Sequence, residues 1–235
     1  MRIRTPRLLT RWVLITASIA ALLFLSAGTV RLASIRNYLV AFSILLLVTM
    51  FAVDPSLAQE RANPKAADTD DSRIATGLLF LLTLAVAGFS VGHWRQAFNV
   101  PSPIRHLALA VFLLGGAFQT WAMIVNPFFS PVVRIQTERD HHLIARGPYR
   151  FMRHPGYLGM SISVPASALA IGSWIALTPA CCFVFVILRR AGFEDSFLRT
   201  SLPGYIDYAN RVRLGPIARR VAWKEDSCQT YNINP

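Results

Sequence analysis

The sequence lacks the cysteine and metal-ligand patterns that stabilise many small domains. Only three cysteines occur among 235 residues, and two of them, Cys181 and Cys182, are neighbours in an apolar run. This excludes a disulfide framework. No histidines and cysteines have the spacing of metal ligands, so we expect no bound metal. Internal repeats of solenoid length are also absent, which predicts a single domain over residues 1–235.

Charge is scarce and strongly one-sided. Asp and Glu together number 12 against 24 Lys and Arg, giving a net charge of +12. Such a balance can indicate nucleic-acid binding, but the positions of the charges favour membrane topology. With a cytoplasmic N-terminus, six membrane spans would leave 20 of the 24 basic residues on the cytoplasmic side. This is the positive-inside bias of membrane proteins. We therefore expect membrane lipids and no nucleic acid as partners, and both termini in the cytoplasm.

Long apolar runs dominate the rest of the chain. Hydrophobic residues make up 54% of it, and the mean hydropathy is +0.43. A helix needs about 20 apolar residues to cross a bilayer, and the runs lack the alternation of a barrel. The fold class is therefore predicted to be all-α and polytopic, with about six transmembrane helices, the last two forming a short hairpin that turns at Gly172 and Ser173. The runs cover residues 12–28, 38–53, 74–92, 107–125, 157–172 and 174–189.

The polar segments divide this single membrane domain into three parts. Residues 1–106 hold the N-terminal spans and loops, including a polar stretch at 54–73 that we interpret as a solvated connector. Residues 107–215 hold the polar motifs, and 216–235 form a polar tail. Tyr205 and Tyr208 share one helical face with flanking arginines. This pattern predicts a C-terminal amphipathic helix on the cytoplasmic membrane surface.

One polar cluster, residues 147–157, lies between two apolar runs. It reads Gly-Pro-Tyr-Arg-Phe-Met-Arg-His-Pro-Gly-Tyr. Since the next two runs are short, the chain should return to the same side of the membrane, bringing Arg190 and Glu194 near Arg153 and His154. Taken singly, the arginines can bind lipid phosphates and the tyrosines can belong to an interfacial aromatic belt. Their convergence at the membrane surface indicates a functional site.

Three motifs in this order resemble the membrane methyltransferase family that includes isoprenylcysteine carboxyl methyltransferases and phospholipid N-methyltransferases. The first joins Gly147-Pro148-Tyr149 to Arg153-His154-Pro155-Gly156-Tyr157. The second is Glu194-Asp195 followed by Leu198, and the third runs from Leu202-Pro203-Gly204-Tyr205 to Arg211-Val212. The resemblance covers about residues 107–215, which it marks as a methyltransferase-like catalytic region. The N-terminal two spans add nothing to it.

The resemblance implies S-adenosylmethionine as methyl donor, bound at the cytosolic face, and a hydrophobic or lipid-linked acceptor. It assigns the acceptor side to Arg190, and Arg190 and Arg153 are the candidate catalytic residues. Asp195 replaces a glutamate that is frequent in the family, and the loop between Gln136 and His141 is shorter than in the eukaryotic prenylcysteine enzymes. The candidate cofactor residues are Gln136, His141, His142, Leu143, Ile144, Tyr149, His154, Pro155, Gly156, Tyr157 and Glu194.

Several alternatives stay open at this point. The acceptor can be a carboxylate, which needs no base, or an amine, which must lose a proton to Asp195 or a histidine. A sterol-type, NADPH-dependent membrane reductase carries a similar Arg-His-Pro element, and a transport or assembly protein is a third possibility. The arginine-rich composition, with 22 Arg and 2 Lys, suggests a bacterial inner membrane. The sequence does not decide which acceptor is used, whether the chain has five or six spans, or what its oligomeric state is.

Overall fold

The described part of the chain is helical. A computed structural model describes residues 4–62, 72–94, 99–213 and 215. The predicted polar tail at 216–235 lies outside these residues. Two short 3-10 turns, Thr137–Arg139 and Gly147–Arg150, interrupt the loop before the sixth helix. The helices are α1 (Arg4–Ala27), α2 (Ala33–Ala52), α3 (Pro55–Ala62), α4 (Arg73–His93), α5 (Ser102–Val125), α6 (Pro155–Ile171), α7 (Leu177–Ser201) and α8 (Tyr205–Arg211).

Four of these helices, α1, α2, α4 and α5, are long and apolar enough to cross a membrane. Apolar side chains also cover their outer surfaces; Leu25 is 82% exposed and Leu114 70% exposed. Large exposed apolar surfaces of this kind suit lipid contact, because lipid tails are as apolar as the side chains themselves. The all-α, polytopic prediction is confirmed. α6 is a shorter apolar helix, and the charged end of α7 extends beyond its apolar part, which ends at Leu188.

The α6–α7 hairpin turns where the sequence predicts. Gly172 ends α6 with a φ of +119°, which favours glycine over residues with a side chain. The Val100 N–H donates a hydrogen bond to the Gly172 carbonyl at 3.0 Å, tying the turn to the segment before α5. α6 packs closely on α5, where a Cβ added at Gly159 would lie 2.7 Å from the Gly115 carbonyl oxygen. Small residues at such contacts let helix backbones approach each other in a membrane.

The stretch between α2 and α4 is not simply a solvated connector, as the sequence suggested. Its first half forms α3, in which Leu57 is fully buried and Glu60 is 8% exposed. Glu60 is buried because it pairs with Arg134, a residue of the loop between α5 and α6. α3 therefore packs on the loop that carries the predicted site, and only its outer face is open to solvent.

The amphipathic helix α8 forms, with Tyr205 and Tyr208 on one face as predicted. That face packs on the protein and does not lie on lipid, because both tyrosines are buried against Leu143 and Leu198. The Tyr208 hydroxyl donates to the Tyr149 carbonyl at 2.7 Å. α8 is thus part of the wall of the predicted site.

Candidate active site

Three side chains of the α6–α7 hairpin form a hydrogen-bonded chain. Arg190 Nε donates to the Tyr157 hydroxyl at 2.9 Å, and that hydroxyl donates to Glu194 Oε2. Arg190 and Glu194 are one turn apart on α7, so both reach the first turn of α6. Arg190 is 3% exposed and also donates to the Pro131 carbonyl at 2.6 Å. The hairpin therefore brings the predicted arginine, tyrosine and glutamate together.

Asp195, the neighbour of Glu194, has four partners. Arg153 Nε lies 3.1 Å and His154 Nε2 3.5 Å from its Oδ1. The Tyr205 hydroxyl donates to Oδ1 at 2.8 Å, and Arg199 Nε donates to Oδ2 at 3.0 Å. Asp195, and not Glu194, is thus the acidic contact of the Arg-His-Pro corner.

The pKa of Asp195 follows from these partners. Burial alone raises the pKa of this carboxyl, but hydrogen bonds from its neighbours and the charge of Arg153 outweigh burial and hold the pKa well below its usual range. A carboxylate with so low a pKa is a poor proton acceptor. The structure therefore argues against Asp195 as the base considered from the sequence.

A polar hollow opens between α7, α8 and the loop 126–154. Its volume is about 60 Å³. Side chains of mixed character line it, including the guanidinium of Arg134, the imidazoles of the loop and the aromatic ring of Phe128. Eight of the residues predicted from the sequence contribute to its wall: Arg153, His141, His142, Leu143, Ile144, Tyr149, His154 and Glu194.

The remaining predicted residues lie elsewhere. Gln136 is fully buried; its side-chain amide donates to the Phe128 carbonyl at 2.8 Å, so it shapes the loop. Pro155 and Gly156 start α6 behind the ring of Phe129; a Cβ added at Gly156 would come within 2.6 Å of that ring. Tyr157 and Arg190 line a second, larger cavity.

A buried ion pair fixes the loop that lines the hollow. Arg134 donates from Nε and Nη2 to the two carboxylate oxygens of Glu60, at 3.1 and 2.9 Å. Both side chains are almost fully buried. Glu138 adds a second, half-exposed carboxylate at 2.7 Å. Because α3 supplies Glu60, the segment between α2 and α4 holds the loop between α5 and α6 in place, although the two paired residues are more than 70 positions apart. This pair is not predictable from the sequence, since no local pattern joins residues so far apart.

His141 is held neutral at the wall of the hollow. Its ring stacks on Phe128 with 4.4 Å between centroids, and Nδ1 accepts the Gln136 backbone N–H at 3.3 Å. Burial, followed by the charges of His142, Arg134 and Arg139, lowers the pKa of His141 to about 4. The accepted hydrogen bond requires an unprotonated Nδ1, so geometry and electrostatics agree. Among the described residues, no cluster of histidine, cysteine or acidic side chains is placed to hold a metal ion.

A second and much larger cavity lies among the helices, with a volume of about 710 Å³. Its walls are mostly aliphatic and aromatic side chains of α1, α2, α4, α5, α6 and α7. The N-terminal spans, which carry none of the family motifs, therefore build much of it. Arg61 of α3 also lines this cavity, and no sequence pattern indicates this position. A volume of this size is in the range of about 300–1,000 Å³ typical of small-molecule sites.

The two cavities share part of their lining. Phe129 and Ser130 line both, and the bond between Tyr157 and Glu194 joins a wall of the large cavity to a wall of the hollow. A polar compartment thus adjoins an apolar one across a few side chains at the end of the helical hairpin.

Comparisons with known proteins connect this geometry with a family. The family model described as "Isoprenylcysteine carboxyl methyltransferase (ICMT) family" matches residues 108–200. A "Probable protein-S-isoprenylcysteine O-methyltransferase" of Oryza sativa subsp. indica is 31% identical over 157 residues, covering 60% of this chain and 79% of the relative. The chain belongs to the isoprenylcysteine carboxyl methyltransferase family. It is therefore a methyltransferase, and the resemblance inferred from the three motifs is confirmed.

Other members of the comparison are more distant. "Protein-S-isoprenylcysteine O-methyltransferase B" of Arabidopsis thaliana is 29% identical over 118 residues, which are 48% of this chain and 58% of that protein. The "Cobalt-zinc-cadmium resistance protein CzcN" of Cupriavidus metallidurans is 28% identical over 137 residues, covering 56% of this chain and 58% of the relative. Family membership favours methyl transfer over the reductase and transport alternatives. The matched region contains the hairpin and most of the polar hollow.

Proposed function

We propose that this protein transfers a methyl group from S-adenosylmethionine to a hydrophobic acceptor, with the donor in the polar hollow and the acceptor in the large cavity. The observation that supports this most strongly is that Phe129 and Ser130 line both cavities and that the Tyr157–Glu194 bond connects their walls. Holding two reactants next to each other in a fixed geometry is worth about 7–11 kcal/mol of a reaction barrier.

The residues of the hollow suit the donor chemically. When bound, S-adenosylmethionine supplies a methyl carbon made electrophilic by a positively charged sulfur. Glu194 can accept hydrogen bonds from an ammonium or from ribose hydroxyls, and Arg153 faces the hollow as a partner for a carboxylate. The Tyr149 hydroxyl is buried at the wall near Asn126 without a well-formed hydrogen bond of its own. A buried hydroxyl in this state is ready to bind a polar ligand group.

Donor binding must widen the hollow. Its volume of about 60 Å³ is far below the roughly 300–1,000 Å³ of small-molecule sites. The wall can move at the segment 142–144, because His142 is exposed and Leu143 and Ile144 are only half-buried. We propose that this segment moves outward to admit the nucleoside, while the hairpin side, fixed by Asp195, stays in place.

The large cavity suits an acceptor with a long apolar chain. Its aliphatic lining contacts such a chain, and Arg190 lies where the cavity meets the hollow. Because Asp195 is a poor base, the site favours an acceptor that is nucleophilic without losing a proton, such as a carboxylate. Methyl transfer to an oxygen atom is also what the names of the plant relatives state for those proteins.

The charge distribution supports a cytoplasmic site with both termini on that side. The loop 126–156 and the end of α7 carry many of the arginines, and the hollow lies between them. Under the positive-inside rule this face is cytoplasmic. Because the arginine-rich composition suggests a bacterial protein, we propose that the membrane is a bacterial inner membrane.

A labelling experiment tests the proposed function. Membranes containing the protein are incubated with S-adenosylmethionine carrying a radiolabelled methyl group, and the lipid extract is separated and counted. Label in a base-labile lipid product supports O-methylation, and label in a base-stable one supports N-methylation. The Glu194→Ala variant should transfer no label above empty membranes. Wild-type membranes that label no lipid-soluble product would contradict the proposal.

A further inference from the structure

α3 presents two consecutive charged residues to the two halves of the site. Glu60 binds Arg134 at the polar hollow, and Arg61 turns into the large cavity. The position of α3 is further fixed by Ser56, whose hydroxyl accepts a hydrogen bond from Arg139 Nη2 at 2.6 Å. The backbone of α3, from which Arg61 projects, is therefore held by an ion pair and a hydrogen bond to the loop between α5 and α6.

The positive charge of Arg61 has neutral partners. Nη1 donates to the Phe129 carbonyl at 3.2 Å, and the guanidinium lies 5.5 Å from the centre of the Phe129 ring. Among the residues that the structure describes, no carboxylate forms an ion pair with Arg61. Burial, and then the nearby charge of Arg190, lowers the pKa of Arg61. A half-buried cation beside a second cation is unfavourable unless an anion joins them.

Arg61 is also close to the reaction zone. The carbonyl and ring that it contacts belong to Phe129, which lines both cavities and packs on Tyr157 with 5.8 Å between ring centroids. Arg190 donates to the same tyrosine. The two guanidiniums thus approach the junction from different helices, Arg61 from α3 and Arg190 from α7. The described residues lining this cavity include no acidic side chain.

We infer that Arg61 is a second anion-binding residue for the acceptor, which acts with Arg190 and makes the site specific for amphiphiles with an anionic head group. This inference rests on the proposed function for the identity of the cavity as the acceptor site. Arg61 lies outside the matched region 108–200, so its role is a property of the N-terminal half of this chain. The shared chemistry is an anionic oxygen cluster, which a carboxylate or a phosphate supplies, because guanidinium binds both in a bidentate manner.

Direct binding of probe amphiphiles tests the inference without turnover. Purified full-length protein in an uncharged detergent is titrated with three probes of equal chain length: an alkyl carboxylate, an alkyl phosphate and an alkyl alcohol. We expect the wild type to bind one or both anionic probes at least about tenfold more tightly than the alcohol, since a hydrogen bond to a charged group is worth about 1.5–3 kcal/mol. The stronger of the two anionic probes identifies the head group as carboxylate or phosphate.

The variants decide whether Arg61 carries this preference. Arg61→Gln should weaken the preferred anionic probe about tenfold and leave the alcohol unchanged, while Arg61→Lys should retain part of the preference. Arg150→Gln is the matched control, because it removes an exposed charge of the neighbouring loop. S-adenosylmethionine binding by Arg61→Gln should equal that of the wild type, which also shows that the variant is folded.

Two results would overturn the inference: Arg61→Gln keeping the full anionic preference, or losing affinity equally for the alcohol. Failure of the proposed function looks different. In that case the wild type does not bind S-adenosylmethionine, whereas the comparison of the three probes still reports on Arg61.

Discussion

Tyr157 and Glu194 lie 37 positions apart in the sequence and share a hydrogen bond across the α6–α7 hairpin. The same tyrosine hydroxyl accepts from Arg190 at 2.9 Å. The Tyr157 hydroxyl therefore links Arg190, which lines the large apolar cavity, to Glu194, which lines the polar hollow. This link makes Tyr157 a positioning residue for both.

Removing that hydroxyl should separate the two sides of the site. In Tyr157→Phe, the buried Nε of Arg190 loses its acceptor and Glu194 loses its donor. Such losses cost about 1–3 kcal/mol, so we expect kcat/KM to fall about tenfold to hundredfold. Steady-state kinetics with labelled donor measure the fall, and a thermal melt monitors the fold. Unchanged kinetics in a folded variant would show that the link has no role.

The Glu60–Arg134 pair should be essential for the loop that lines the hollow. Glu60→Gln removes the buried counter-charge of the nearly buried Arg134 guanidinium, and breaking a buried pair typically costs about 3–5 kcal/mol. We expect a large fall in the free energy of unfolding, measured in denaturant. Glu138→Gln is the matched control, because it removes the half-exposed partner of the same arginine; a surface pair is worth about 0–1 kcal/mol. Equal effects of the two changes would refute this account.

His141 should make the loop sensitive to mild acid. Its folded pKa is about 4, whereas an unfolded histidine takes up a proton near pH 6.5. Stability is thus complete above pH 6.5 and declines as the pH falls from 6.5 towards 4, since protonation of Nδ1 displaces the Gln136 N–H. Melting temperatures between pH 7.5 and 5 measure the decline, and His141→Asn should flatten it. His142, Arg134 and Arg139 face the ring and are retained in that variant. If the melting temperature of His141→Asn declines equally steeply with falling pH, the response belongs to another titratable group.

Because α5 and α6 are in close contact, Gly159 should tolerate substitution by alanine far less well than Gly192. A Cβ at Gly159 would lie 2.7 Å from the Gly115 carbonyl oxygen, which is backbone and cannot swing aside. Gly159→Ala should therefore destabilise the protein by about 1–3 kcal/mol. Gly192→Ala in α7 meets nothing within 4 Å and should be neutral or stabilising by up to about 1 kcal/mol. Melting temperatures of both variants in one detergent test the contrast, and equal shifts would contradict it.

The sequence predicts the helices and the hairpin well because apolar runs and glycine turns are local signals. The α6–α7 return follows from the lengths of two short runs, and it does bring Arg190 and Glu194 to Tyr157. Long-range polar contacts have no such signal. Nothing in the octet Pro55–Ala62 shows that Glu60 pairs with Arg134, so a polar connector was the natural interpretation. For the same reason, the sequence brings the pair Glu194-Asp195 to the Arg-His-Pro corner but does not show which of the two carboxylates contacts Arg153, a position that Asp195 takes.

Binding of S-adenosylmethionine to the purified protein, followed by titration calorimetry, tests the central claim most directly. The wild type should bind the donor, Glu194→Ala should bind it at least about tenfold more weakly through the loss of a charged hydrogen bond, and the exposed change Asp207→Asn in α8 should bind it as the wild type does. Equal binding by the wild type and Glu194→Ala, or no heat with either, would contradict a donor site in the polar hollow.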